Sequence, residues 1–322
     1  MSSKQVVSPF YHVPSTVSEE AQIFLRTAIP VGGPVDSIDT WQAIRKGFAE
    51  FSKTDHDKAL IAHVEKVDQI TLKNVPVTVV TPKDYDSEGG NIMIYIHGGA
   101  YTLGSADHLF QVFAPVAHQA SLKTYAINYR LAPKFPFPSG LNDCVKVYKK
   151  LLKTHEASKI FFFGDSAGGS LALSTLLKAR DEESLPMPAA IGLFSPMAEA
   201  EKKGDTFYSL EGRSPVLNYE DSLKPSLDVY VPKEIELCHP YDSPVNGNFK
   251  GFPPTKIVSG TRDYFLSSCT RLRLKMRRDG VKTDLDIYEG MGHGFQQNFK
   301  WAEAQESREE MAKFFKEVIA DA

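Results

Sequence analysis

A chain of 322 residues is long enough for one large core with an appendage, or for two small domains. Its hydrophobic share of 42%, charged share of 24%, net charge of −3 and pI near 6.3 give no reason to expect a nucleic-acid partner. Cys144, Cys238 and Cys269 are odd in number and lack metal-ligand spacing, which argues against a disulfide framework and a metal site. Met1 to Phe10 has no apolar core of a signal peptide, and no stretch is long enough to span a bilayer, so a reduced, cytoplasmic setting is expected.

Residues 21–29 and 40–51 read as helices, the second with Trp41, Ile44 and Phe48 at helical spacing, and Pro30 to Pro34 reads as the loop between them. From residue 63 the pattern changes. His63 to Leu72 and Val75 to Thr81 read as strands joined at Lys73-Asn74, an antiparallel entry to a sheet. Apolar strands then alternate with helices. The strands are Asn91 to His97, Lys123 to Tyr129, Ile160 to Phe163, Ala190 to Phe194, Thr255 to Ser259 and Thr283 to Tyr288. The helices are Ala106 to Ala120, Leu141 to Thr154, Ala167 to Arg180, Cys269 to Asp279 and Trp301 to Ile319. This alternation predicts an α/β fold, a mostly parallel sheet flanked by helices on both faces. The chain divides into a segment 1–62 and an α/β unit 63–322. Ala198 to Lys250, polar and holding five prolines, interrupts the unit. It reads as a long surface loop or as a lid.

Gly164-Asp165-Ser166-Ala167-Gly168 falls between a strand and a helix, the setting of a nucleophile elbow. A serine hydroxyl is a poor nucleophile at its own pKa and needs a base. His239 and His293 follow it. His293 sits between glycines just after a strand, whereas His239 sits in the polar insertion beside Pro240 after no evident strand. The base is therefore expected at His293. Asp263 follows another strand with a glycine turn and is the expected orienting acid. Asp284 and Asp286 lie inside a strand, alternate with Leu285 and Ile287, and are expected to face solvent. His97-Gly98-Gly99-Ala100 ends a further strand, and its N–H groups, with that of Ala167, form a candidate oxyanion hole.

With Tyr129-Arg130-Leu131-Ala132-Pro133, Phe137-Pro138 plus Asp143, Phe252-Pro253-Pro254 and Gly292-His293-Gly294-Phe295, these motifs resemble the hormone-sensitive lipase family of α/β-hydrolases from about residue 75 to the C-terminus. The resemblance implies a cofactor-independent carboxylesterase for small to medium acyl esters, working through an acyl-enzyme. Ser166 would be the nucleophile, Asp263 the acid and His293 the base, with oxyanion donors at Gly99, Ala100 and Ala167. Ala100 stands where the family has a third glycine, which leaves open whether Gly98 or Ala100 donates. The family also implies a cap built partly from the N-terminus, as 1–62 could form, with Tyr129 to Pro138 bracing the site.

The same machinery serves lactones, carbamates or amides. Plant hormone receptors resembling this family have lost the catalytic histidine, and here all three triad residues are present. Related enzymes often pair through an edge strand. The position of Thr283 to Tyr288 near the sheet edge leaves a homodimer open, with Asp284 and Asp286 as charges that oppose it.

Overall fold

The computed structural model describes residues 12–26, 38–211 and 216–321. The loop expected at Pro30 to Pro34, and the end of the helix expected over 21–29, lie outside them. The strands are β1 (Val64–Leu72), β2 (Val75–Pro82), β3 (Ile92–Ile96), β4 (Lys123–Ile127), β5 (Ile160–Asp165), β6 (Ala190–Phe194), β7 (Thr255–Arg262) and β8 (Thr283–Gly292). They form one 8-stranded sheet in the order β1-β2-β4-β3-β5-β6-β7-β8. β1 with β2 and β2 with β4 are antiparallel, and every later pairing is parallel. The antiparallel entry and the parallel body are as expected, and β8 is an edge strand.

The central strands are apolar along their whole length because helices cover both faces. Alternate residues supply two cores. Ile92, Ile94, Ile96, Ile160 and Phe162 join the core under α4 (Ser139–Leu151), α5 (Ala167–Glu183) and α8 (Leu266–Arg278). Met93, Tyr95, Phe161 and Phe163 join the core under α3 (Phe110–Gln119) and α9 (Ala302–Ala320), which also takes Ala21 and Leu25 of α1 (Glu19–Arg26). Parallel strands crossed by helices direct all their carboxyl ends to one rim, where the candidate site residues collect.

Three elements depart from expectation. α2 runs over Ile38–His63, well past residue 51, and β1 begins at Val64. No glycine or proline stops the helix, and Lys53 pairs with Asp57 one turn on at 2.6 Å. The 198–250 segment is not a surface loop. It contains α6 (Thr206–Ser209) and α7 (Lys224–Tyr230), and it buries Ala198, Phe207, Leu227, Tyr230 and Phe249 in the main core. These helices are too short to set up a visible periodicity. Asp284 is exposed as expected, but Asp286 is only half-exposed and pairs with the nearly buried Lys256 at 2.5 Å, while Ile287 turns outward. All three cysteines are free.

Arg308 of α9 is 2% exposed. Its Nη1 donates to Gln296 O at 2.6 Å and its Nη2 to Phe299 O at 2.8 Å, and burial pushes its pKa down to about 10. It thereby fixes the turn that follows His293. Arg308→Met leaves those carbonyls without their donor and is expected to cost about 2–4 kcal/mol of unfolding free energy, read from guanidinium denaturation. A change under about 0.5 kcal/mol, the range of ordinary surface substitutions, would contradict this role.

Candidate active site

At the end of β5 the backbone of Ser166 adopts φ 52° and ψ −122°, and α5 starts at the next residue. A non-glycine residue in that region stores of order 1–3 kcal/mol. Neighbouring chain holds it there. Ser166 N–H donates to Phe194 O at 2.8 Å, and Met197 N–H donates to Ser166 O at 3.0 Å. The turn brings α5 so close to β3 that a Cβ on Gly168 would strike the carbonyls of Ile96 and His97. This explains the glycine two residues after the serine. Ser166 itself stays half-exposed at the rim.

The other two strand-end residues converge on it. His293, just beyond β8, places Nε2 2.9 Å from Ser166 Oγ and Nδ1 3.1 Å from Asp263 Oδ1. An ionised carboxylate only accepts, so Nδ1 carries the proton and Nε2 is left to receive one from the hydroxyl. The edge of Phe265 meets the imidazole at 4.8 Å and 90°. Asp263 is fully buried. Ser259 Oγ donates to its Oδ2 at 2.8 Å and Phe265 N–H to its Oδ1 at 3.0 Å. Burial, the largest single influence, pushes its pKa up. The charge and hydrogen bond of His293, with the Phe265 N–H, outweigh that and hold it below the ordinary carboxylate value.

The His97-Gly98-Gly99-Ala100 segment crosses in front of the elbow. Gly98 N–H donates to Asp165 Oδ1 at 3.0 Å, and Tyr95 OH donates to the same oxygen at 2.6 Å. The N–H groups of Gly99, Ala100 and Ala167 have no partner among the described residues. Gly99, Ala100 and Tyr101 follow one another at φ 113°, 50° and 64°, all left-handed. Behind them His97 Nδ1–H donates to Gly98 O at 2.7 Å, and the ring stacks on Tyr129 at 4.3 Å. Burial pushes the His97 pKa down to about 4, so the ring is neutral. Tyr129 OH donates to His97 O at 2.9 Å, and Arg130 grips Asp143 through Nε at 2.7 Å and Nη2 at 2.9 Å. Tyr129 to Pro138 therefore braces the loop, as the sequence motifs implied.

Ser166, Asp263, His293, Gly99, Ala100 and Ala167 thus share one rim. Gly98 lies there too, with its N–H already engaged. His239 is elsewhere, lining a groove of about 500 Å³ with Phe137, Ile235 and Cys238. A cavity of about 10 Å³ lies beneath Ser166 and His293, walled by Asp165 and Gln296. It has room for about one water and none for an acyl chain. Sequence reasoning missed Asp165 as a tie to Gly98, Ser259 as a donor to Asp263, and Arg45, whose contacts lie across the fold. Only Asp165 carried a signal, as the acid inside the elbow motif. Among the described residues no cluster of His, Cys, Asp or Glu is arranged to hold a metal, and no helix is long and apolar enough to cross a membrane.

A family profile described as alpha/beta hydrolase fold matches residues 93–297. The chain belongs to that family. Within it the chain is similar to an acetyl-hydrolase of Streptomyces hygroscopicus, 28% identical over 254 residues that cover 77% of this chain and 83% of the relative. A crystal structure of the esterase EstE5, soaked with ethyl alcohol, superposes with TM-score 0.85 at 28% identity, covering 94% of this chain and 98% of that one. A hormone-sensitive lipase from a metagenome library superposes with TM-score 0.81 at 28% identity, covering 94% and 96%. The resemblance read from the motifs is borne out, and the protein is an ester hydrolase of this family.

Burial, the largest influence on Asp165, raises its pKa despite the bonds from Tyr95 and Gly98. Asp165→Asn keeps an oxygen to accept both bonds, whereas Asp165→Leu strands both donors and is expected to cost roughly 2–4 kcal/mol. A raised carboxyl pKa means that folding favours the protonated form. Wild type should therefore lose stability relative to the Asn variant as pH climbs from the ordinary carboxylate range through the raised value. Urea unfolding of the two proteins between pH 4 and pH 8 reads this difference. A difference that does not change with pH would contradict it.

Proposed function

We propose that the chain is a serine carboxylesterase acting on small to medium acyl esters through an acyl-enzyme. The observation that carries this reading is the 2.9 Å approach of His293 Nε2 to Ser166 Oγ at a strained strand end, with Asp263 on the far ring nitrogen. Ser166 Oγ attacks the ester carbonyl carbon while its proton passes to His293 Nε2. The resulting imidazolium is steadied by Asp263, which is poised to stay ionised. The carbonyl oxygen, now negative, is met by the N–H groups of Gly99, Ala100 and Ala167. Gly98 is set aside because its N–H is spent on Asp165. The tetrahedral centre collapses, the alcohol leaves with the proton from His293, and the acyl group remains on Ser166. Water, deprotonated by His293, then adds to the acyl carbon, and Ser166 leaves with its proton restored.

Short acyl groups are favoured by the likeness to the acetyl-hydrolase. The covering of the rim supports a cap built from the N-terminal segment and the 198–250 insertion. Tyr230 of α7 stacks on Tyr101 at 3.7 Å, immediately after the oxyanion loop.

Turnover of p-nitrophenyl acetate, butyrate and octanoate by wild type and Ser166→Ala tests the proposal. The variant is expected to lose at least roughly 10⁴-fold in kcat. Wild type should turn over acetate and butyrate with higher kcat/KM than octanoate. A Ser166→Ala protein at wild-type activity would refute the nucleophile, and a preference for octanoate would refute the substrate class.

A further inference from the structure

We infer that Arg45, on α2 of the N-terminal segment, is a positioning residue for the hydrolytic reaction: its guanidinium clasps the loop that carries the oxyanion donors and holds it in a conformation its own backbone disfavours. The inference rests on the proposed serine mechanism and on its assignment of Gly99 and Ala100 as donors.

Arg45 Nε donates to Thr102 O at 2.7 Å, and Arg45 Nη2 donates to Ala132 O at 2.7 Å. One planar fork thus joins the oxyanion loop to the Tyr129 to Pro138 loop, through two carbonyls remote from it in sequence. Both bonds are charge-assisted and short. The bond to Thr102 lands at the end of the left-handed run at Gly99, Ala100 and Tyr101. Glycine adopts this conformation freely, but Ala100 and Tyr101 carry a Cβ and do not. Such a run persists only where its surroundings over-determine it.

Asp165 and Tyr129 hold the start of the loop, at Gly98 and His97, and the remaining ties beyond Gly99 are neutral or local. Thr102 N–H and Leu103 N–H turn back to Gly99 O at 3.0 Å and 2.8 Å, which closes the turn without anchoring it. Ala132 N–H donates to Tyr101 O at 3.0 Å. The hydroxyls of Thr102 and Ser226 meet at 3.1 Å. Arg45 is the cation among the ties beyond Gly99, and it also fixes Ala132, the residue that holds Tyr101. Loss of the clasp should let Ala100 relax toward ordinary φ and swing its N–H away from the developing oxyanion. That N–H matters in the transition state more than in substrate binding, so kcat should suffer more than KM.

A residue that merely docked α2 would lower stability alone. The strained alanine separates the two roles, because glycine at position 100 removes the reason for the clasp. The experiment uses the full chain as wild type, Arg45→Met, Ala100→Gly and the double variant. It measures kcat and KM on p-nitrophenyl butyrate, active-site number by p-nitrophenol burst, and thermal midpoint. Arg45→Met should lower kcat roughly tenfold to hundredfold, short of the 10²–10³ that follows outright loss of a donor, with the burst still one per chain. In the Ala100→Gly background the same change should lower kcat by no more than about threefold, while the thermal midpoint falls equally in both backgrounds.

Arg45→Lys should behave like the methionine variant, since one ammonium cannot reproduce a two-pronged fork. It carries the same comparison if Arg45→Met does not fold. Equal fold losses in both backgrounds, unchanged kcat, or a rise in KM alone would overturn the inference. Ser166→Ala, measured alongside, isolates the other failure: turnover by that protein would remove the underlying mechanism, whatever Arg45 did.

Discussion

Ser166 is held at φ 52° and ψ −122° at the end of β5, and much of the molecule serves to keep it there. Such a turn needs a strand buried on both sides and a helix that leaves at once. It also needs small residues at the crossing with β3, and backbone partners that over-determine its geometry. The two cores supply the first, α5 the second, Gly168 the third, and Phe194 and Met197 the last. The parallel sheet then delivers His293 and Asp263 to the same rim without further adjustment, because each ends or follows a strand running in the same direction.

Two buried carboxylates border this rim, and their surroundings treat them differently. Asp263 faces a group able to take positive charge and collects donors on both oxygens, so its pKa falls below the ordinary value in spite of complete burial. Asp165 has two neutral donors on one oxygen and is raised by burial. On the proposed mechanism that difference has a use. The first carboxylate remains a steady counter-charge for the imidazolium. The second works as a structural acceptor, taking the N–H of Gly98 out of play and setting the path of the next two residues.

Much of this was legible along the chain, for local reasons. Ser166 follows a continuous apolar run, Asp263 and His293 follow more polar strands, and each of the three has a glycine within three residues. A short buried strand followed by a turn residue is a pattern that neighbours in sequence are enough to reveal. What stayed hidden depended on contacts between distant segments. Arg45 looks like any exposed-face arginine of a helix until Thr102 and Ala132 are brought to it. Asp286 alternates like a solvent-facing residue, but Lys256 on the adjacent strand draws it inward. α2 outran its expected end because nothing in residues 52–63 stops a helix. The 198–250 segment was polar enough to read as a loop or a lid, yet Ala198, Phe207, Leu227, Tyr230 and Phe249 turn into the core while Tyr208, Val216 and Leu237 stay exposed. The doubt over the oxyanion donors came from Ala100, and a bond made by Asp165, far away in sequence, bears on it.

The central claim is that the acyl group passes through Ser166. Its most direct test is mass spectrometry of the protein quenched in acid during turnover of p-nitrophenyl butyrate, followed by proteolysis and peptide sequencing. One butyryl group per chain is expected, on Ser166, and it should disappear once the substrate is consumed. A butyryl group on any other residue, or none at a time when product is being released, would contradict it.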